Sequence, residues 1–300
     1  MVRMRRQVPV RDDPFPGFAD VAEIGVGRSG TVYRARELGT NRRVALKLLD
    51  VRDAAPAALA AFERETAALA AISSHPNIVT LYGSFRVADG RPVLVLERCT
   101  GPVFDLLRGA RGLPARTVLS IGVAVAGALE TAHRAGILHR DVKPQNVLVT
   151  RYGEPALADF AVGALRTATE TTAGPFDVTP LSAPPELLEG APASPTTDVY
   201  ELASSMYQML AGRSAFRVAG AGSPPPAILR IRRDPVPSLV HLPDAFSDLL
   251  RRAMSTDPAA RPASAAEFAA ELVAIERSQG WPAKRPAPRP RPHPAGSVPR

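Results

Sequence analysis

The segment "ILHRDVKPQNVLV" crowds His139, Arg140, Asp141, Lys143 and Asn146 together, and Asp159 follows 18 residues after Asp141 across an expected β-hairpin. An acid, a cation and an amide within six residues of loop make no sense as a helix face or a strand. They do make sense around a metal-bound triphosphate and an attacking hydroxyl. Upstream, "IGVGRSGTVY" sets Gly25, Gly27 and Gly30 in the order G-x-G-x-x-G, with Val32 just beyond. Alone this is a weak signal, because dinucleotide-binding folds use the same glycines. There, however, the glycines open a helix, whereas here "TVYRARE" continues as an alternating strand. The loop is therefore a strand-turn-strand flap whose missing side chains let backbone approach phosphates. Lys47, flanked by Leu46 and Leu48 in "RVALK", follows on the next strand, and a cation facing a cleft there needs an anionic partner. Glu65 in the helical "FERETAAL" can supply one, leaving Lys47 aimed at phosphates. An oxidoreductase would use an acid about 20 positions after the glycines, and Asp50 offers one. In that reading Lys47 and the loop around Asp141 have no task, so it is set aside.

Taken in order and spacing, these motifs resemble the protein kinase family, specifically the bacterial eukaryotic-like (Hanks-type) serine/threonine kinases of actinobacterial type, over roughly residues 15–277. The resemblance implies catalytic parts for Asp141, Lys143, Lys47, Glu65 and Thr179. Asp141 would orient the substrate hydroxyl and take its proton late. Lys143 would stabilise charge on the γ-phosphoryl, and Asn146 and Asp159 would hold Mg2+ or Mn2+. Lys143 two residues after the aspartate is the serine/threonine pattern. The same resemblance places ATP against Gly25, Val26, Gly27, Arg28, Gly30, Val32, Ala45, Lys47, Asn146 and Leu148. Leu96 would be the gatekeeper, and Glu97 to Cys99 the hinge whose backbone reads adenine.

Further along, "VTPLSAPPELL" resembles the end of an activation segment. Thr179 and Pro180 match the Thr-Pro before Ala-Pro-Glu, Pro185 and Glu186 match its last two residues, and Pro184 departs from its alanine. Asp198 resembles the buried aspartate that braces the catalytic loop, and Arg261 the arginine paired with Glu186. Arg140 before the base implies control by phosphate on the activation segment, where Thr169, Thr171 and Thr172 are the phosphorylation candidates. The sequence departs from the family at Ala161, which stands where Asp-Phe-Gly has its glycine. Alanine keeps the backbone N–H and restricts positive-φ states. With Lys47, Asp141, Asn146 and Asp159 all present, the expectation is an active kinase whose Asp159 faces metal and whose Phe160 packs beneath a helix near Leu69. A nucleotide-binding pseudokinase or scaffold is the alternative.

Positioning these residues requires two lobes. From Phe18 to about Glu97 the pattern is strand-like around "GTVYRAR", "RRVALKLL" and "RPVLVLE", interrupted by the helical "APAALAAFERETAALAAI". Beyond it, "RTVLSIGVAVAGALETAHRAG", "TTDVYELASSMYQMLAG", "DAFSDLLRRAM" and "SAAEFAAELVAIERS" have helical spacing, with short strands at "NVLV" and "PALA". The expected fold is α+β and bilobal: a small β-rich N-lobe (about 15–97) with one αC-like helix, and a larger, mainly helical C-lobe (about 98–277). Residues 1–14 read as a basic segment and 278–300 as a Pro/Arg-rich disordered tail.

The net charge of +8 in 300 residues lies at the ends. Four arginines in residues 1–11 and five cations in residues 281–300, with no acid in either, leave the middle nearly neutral. No nucleic-acid partner is expected, while a weak tail contact with acidic partners or lipid stays open. One cysteine, Cys99, excludes an intrachain disulfide, and the start lacks an apolar core for a signal peptide, so the expected location is cytoplasmic. The resemblance implies protein substrates with Ser or Thr acceptors and leaves open a homodimer for trans-autophosphorylation.

Overall fold

The computed structural model describes residues 14–27, 30–50, 56–108, 111–160, 182–216, 231, 234–240 and 242–281. β1 (Phe18–Gly27), β2 (Gly30–Glu37), β3 (Arg43–Leu49), β4 (Leu81–Arg86) and β5 (Pro92–Glu97) form one antiparallel sheet in the order β1-β2-β3-β5-β4. Helix α1 (Pro56–Ile72) interrupts the strand order, with its proline at the first turn, where the missing N–H leaves no bond unmade. Strand alternation sorts the side chains of β3 and β5. Val44, Leu46, Leu48, Val93 and Val95 face one way and pack with Phe15 and Ala35. Lys47, Leu49, Leu94 and Leu96 take the opposite face, toward α1 and the second lobe. The alternation therefore delivers Lys47 to the cleft.

The C-lobe begins with β6 (Gly101–Pro102) and a short 3₁₀ turn (Val103–Leu107), then α2 (Ala115–Arg134). β7 (Val147–Val149) and β8 (Pro155–Leu157) complete a three-stranded sheet, β6-β7-β8. Helices α3 (Pro185–Leu188), α4 (Pro195–Ala211), α5 (Asp244–Ala253) and α6 (Ala265–Ser278) follow. By length and composition α2 is apolar enough to cross a membrane. Its Val118, Leu119, Val125 and Leu129 are instead fully buried in the core beside α4 and α6, as the reading of this run as a core helix expects. Burying each such side chain contributes about 1.5–3 kcal/mol. Gly122 makes the α2–α4 contact close: a Cβ there would sit 2.5 Å from the Met206 methyl.

Helix α4 starts at Ser194, whose side chain and that of Thr197 form a capping box, with Pro195 at the first position. The start of α4 is thereby fixed, and the polar residues of its buried face keep a defined height against the loop before β7. A parallel bridge from Ile78 to Leu157, with Val79 N donating to Leu157 O at 2.9 Å, ties the α1–β4 connection to β8 and so joins the lobes.

Candidate active site

Lys47 lies mid-strand in β3, opposite Val32 on one side and Leu94 on the other. Its Nζ is 2.8 Å from Asp159 Oδ2, with Lys47 4% exposed and Asp159 31% exposed. Burial pushes the Asp159 carboxyl up, but the charge and hydrogen bond of Lys47, together with His139 and Lys143, outweigh it and the net direction is down. Asp159 is therefore an ionised oxygen donor in the cleft. The side chain of Glu65, expected to pair with Lys47, lies outside the described residues, and the partner seen for Lys47 is Asp159.

The loop after α2 holds the acid. Asp141 Oδ2 accepts from Lys143 Nζ at 2.7 Å and from Asn146 Nδ2 at 3.2 Å, while the same amide nitrogen donates to Asp141 O at 2.8 Å. Asn146 N donates to Lys143 O at 2.9 Å, and Asn146 O accepts from Ala158 N at 2.8 Å. Asp141, Lys143 and Asn146 are thus one bonded unit docked on the end of β8, next to Asp159. With both hydrogens of its amide on Asp141, Asn146 keeps its Oδ1 without a partner among the described residues.

His139 joins the two loops. Its Nδ1 accepts from Asp141 N at 3.2 Å, so the proton sits on Nε2, which donates to Ala158 O at 2.7 Å. The same ring meets Phe160 edge-on at 4.7 Å. Phe160 is buried and lines a cleft of about 330 Å³ with Leu69, Lys47, Leu94 and Asp159. Both Arg140 (φ 64°) and Asp159 (φ 72°) adopt the left-handed region, a sparsely populated state for residues other than glycine.

Helix α4 holds the loop from behind. Asp198, fully buried, accepts from His139 N at 2.9 Å, Arg140 N at 2.8 Å and His133 Nε2 at 2.7 Å. Glu201 Oε2 accepts from Val142 N at 2.8 Å, and Ser205 Oγ donates to Val142 O at 2.9 Å. Farther out, Arg261 grips Glu186 with two bonds, at 2.6 and 2.8 Å, and lies over the Tyr200 ring at 4.9 Å. Reasoning from sequence found Asp198 and the Glu186–Arg261 pair and missed His133, Glu201 and Ser205. The available signal was two polar residues at i+3 and i+7 from Asp198 on a buried helix face.

The wall of the cleft formed by β3, β5 and the residues after Glu97 is apolar. Leu96, Cys99 and Leu148 pack with Val79, Ala156 and Ala158, and buried Ala45 stands opposite Leu96 in the β3–β5 register. Burial pushes the Cys99 thiol up to about 12, so it serves as an apolar wall rather than a nucleophile. The N–H of Glu97 donates to Thr80 O at 2.8 Å, whereas the N–H of Cys99 has no partner among the described residues. At the flap, Gly27 faces Gly30 across the β1–β2 end and Val26 is well exposed. Gly30 has φ 139°, and a Cβ there would lie 2.0 Å from Leu48 O, so only glycine fits. Arg28, Ala161, Thr169, Thr171, Thr172 and Thr179 lie outside the described residues.

Among the described residues no three His, Cys, Asp or Glu side chains gather into a metal cluster. Asp159 and the open Oδ1 of Asn146 nevertheless fit magnesium, a hard cation held by one or two protein oxygens together with substrate phosphates.

A β-sheet lobe with a buried lysine faces an acid-lysine-asparagine loop braced by a helical lobe, an arrangement of protein-kinase type. The protein kinase domain model matches residues 18–273, and the chain belongs to the protein kinase family, on its bacterial serine/threonine branch. It is 40% identical over 267 residues to the serine/threonine-protein kinase PknK of Mycobacterium tuberculosis, covering 88% of this chain and 24% of that protein. To PknL of Mycobacterium bovis it is 36% identical over 275 residues, 89% of this chain and 68% of that protein. The chain spans about a quarter of PknK's length. Among solved structures, the PknI kinase domain of Mycobacterium tuberculosis, a cysteine-to-alanine mutant, superposes with a TM-score of 0.63 at 30% identity. That match covers 86% of this chain and 96% of that one.

Proposed function

We propose that the chain transfers the γ-phosphoryl group of ATP to serine or threonine hydroxyls of proteins. The observation that carries this reading is the bonded unit of Asp141, Lys143 and Asn146 docked beside the Lys47–Asp159 pair. Asp141 orients the acceptor hydroxyl and takes its proton. Lys143, 2.7 Å from Asp141 Oδ2, brings positive charge to where the γ-phosphoryl group would lie. Lys47 serves the phosphates of bound nucleotide, and the Cys99 N–H is an open donor for adenine. Asn146 and Asp159 would hold magnesium, which when bound neutralises phosphate charge.

Regulation by phosphate on the activation segment belongs to the same reading, with Thr171 or Thr172 the first candidates and Thr169 next. Its support is Arg140, whose buried Nε has no hydrogen-bond partner among the described residues. A buried guanidinium donor left open is a ready site for a dianionic phosphothreonine. The scaffold reading raised by Ala161 draws no support from the relatives, which are named kinases.

The test is transfer of radiolabelled phosphate from ATP with magnesium or manganese. Wild type is expected to turn over, and Asp141→Asn to lose about 100-fold or more while keeping its melting temperature. An Asp141→Asn variant with near-normal turnover would overturn the assignment. Mass spectrometry that finds no phosphate between Arg166 and Thr179 in active protein removes the regulatory part.

A further inference from the structure

Asp198, Glu201 and Ser205 stand at i, i+3 and i+7 on α4 and therefore share one face. Their exposures are 0%, 3% and 1%. A carboxylate and a hydroxyl buried this deeply are unfavourable unless each is hydrogen-bonded. Their bonds run to consecutive backbone groups of one short segment. Asp198 takes the N–H groups of His139 and Arg140, and Asp141 N–H is taken by His139 Nδ1. Glu201 takes the N–H of Val142 at 2.8 Å, and Ser205 holds the carbonyl of the same residue at 2.9 Å. Val142 is thus gripped at both its polar groups, and its side chain is 1% exposed. It is the residue immediately after Asp141. On the other side of Asp141, Arg140 is held in a strained left-handed conformation by Asp198.

We infer that Glu201 and Ser205 form a clamp on Val142 that positions Asp141 for phosphoryl transfer, in addition to the brace from Asp198. The inference rests on the proposed kinase activity and deepens it. Without the Glu201 acceptor, the Val142 N–H would be buried and unpaired, and the chain would shift to find a partner. Asp141, one residue away, would move with it. Placement errors of about 1 Å lower a rate by about 100-fold. Glu201 and Ser205 touch neither nucleotide nor acceptor in this arrangement, so they are positioning residues.

The experiment compares wild type with Glu201→Leu, Glu201→Gln and Ser205→Ala in steady-state transfer to a peptide, with ATP varied. Glu201→Leu, which cannot accept the bond, is expected to lower kcat by about 10- to 100-fold with the KM for ATP within about threefold. Glu201→Gln, whose amide oxygen still accepts, is expected within about fivefold of wild type, and Ser205→Ala to lose about threefold in kcat. Hydrogen exchange of the Val142 amide reads the clamp without activity and is expected to rise about tenfold or more in Glu201→Leu, with β3 unchanged. Wild-type kcat in Glu201→Leu, equal losses in the Leu and Gln variants, or a loss carried by KM with a lower melting temperature would each overturn the positioning role. Should Glu201→Leu not fold, Ser205→Ala and Glu201→Gln decide: no kcat loss in Ser205→Ala overturns the clamp. Should wild type transfer no phosphate, the proposed function has failed, and the clamp then stands or falls on whether the wild-type Val142 amide is protected.

Discussion

Replacing Lys47 by Met removes one ammonium and leaves a side chain of similar length in the middle of β3. The lysine is 4% exposed, its Nζ lies 2.8 Å from Asp159 Oδ2, and Asp159 is 31% exposed. Deleting one partner of a fully buried pair costs about 3–5 kcal/mol. Asp159 keeps enough exposure for water to take over part of the lost interaction, so about 1–2 kcal/mol is expected at neutral pH. At roughly 2–4 °C per kcal/mol for a domain of this size, the melting temperature should fall about 2–8 °C at pH 7. The pH dependence has a definite sign. In wild type the Asp159 carboxyl is held below its ordinary value, so its contribution is present above the unfolded pKa of about 3.9 and is lost as pH falls through the native value. In Lys47→Met the burial that pushes this carboxyl up acts without the strongest of the cations that pull it down. Only His139 and Lys143 then pull the carboxyl down, so the stabilisation that ionised Asp159 contributes at neutral pH shrinks. The gap between the two proteins should be widest near pH 7 and narrow toward pH 4. Thermal melts by circular dichroism at four pH values between 7.5 and 4.5 read this directly. Phosphate transfer by the variant should drop about 100-fold or more. A melting gap independent of pH, or none at pH 7, would refute the coupling of Lys47 to Asp159.

Gly30→Ala should destabilise by about 2 kcal/mol or more, since its Cβ would meet Leu48 O at 2.0 Å, while Gly25→Ala, with nothing within 4 Å, should melt with wild type. Arg261→Ala leaves Glu186 without its two bonds and should cost about 3–5 kcal/mol in urea unfolding, with Arg261→Lys intermediate because one ammonium cannot reproduce the bidentate grip. Cys99, its thiol raised to about 12, should resist iodoacetamide at pH 8 in the folded protein and react fully in denaturant; rapid alkylation of the native form contradicts the burial described.

The two-lobed α+β order was legible because strand alternation dominates before Glu97, broken by one helical stretch, and helical spacing dominates after Thr100, broken by short strands at "NVLV" and "PALA". The lysine on β3 was legible for the same reason: alternation in "RVALKLL" settles which face Lys47 takes. The cluster of Asp141, Lys143 and Asn146 in "HRDVKPQN" was legible because its residues are close in sequence. What the sequence hid is the set of partners brought together over long separations. Lys47 meets Asp159 across 112 positions, and Glu201 meets Val142 across 59. Read alone, a Glu or Ser in "DVYELASS" is a weak helix residue with no stated contact. The tautomer of His139 was hidden as well, since it follows from which backbone groups face each ring nitrogen.

The two strained residues show how these partners act together. Arg140 and Asp159 have positive φ, a conformation uncommon outside glycine and tolerated better by aspartate than by arginine. Each such residue costs on the order of 1–3 kcal/mol unless its surroundings hold it. Arg140 is held by Asp198, which α4 fixes at its first turn; Asp159 is held by Lys47, which β3 fixes in the other lobe. His139 bonds to the chain beside both, through Asp141 N and Ala158 O. A displacement of β3 that separates Lys47 from Asp159 would therefore release the strain at Asp159, turn Phe160 off the His139 ring and loosen the hydrogen bond that His139 makes to Asp141. The N-lobe reaches the loop that carries Asp141 through that chain of contacts, and its weakest member is the Lys47–Asp159 pair, whose carboxylate is partly exposed, rather than the fully buried Asp198 cluster.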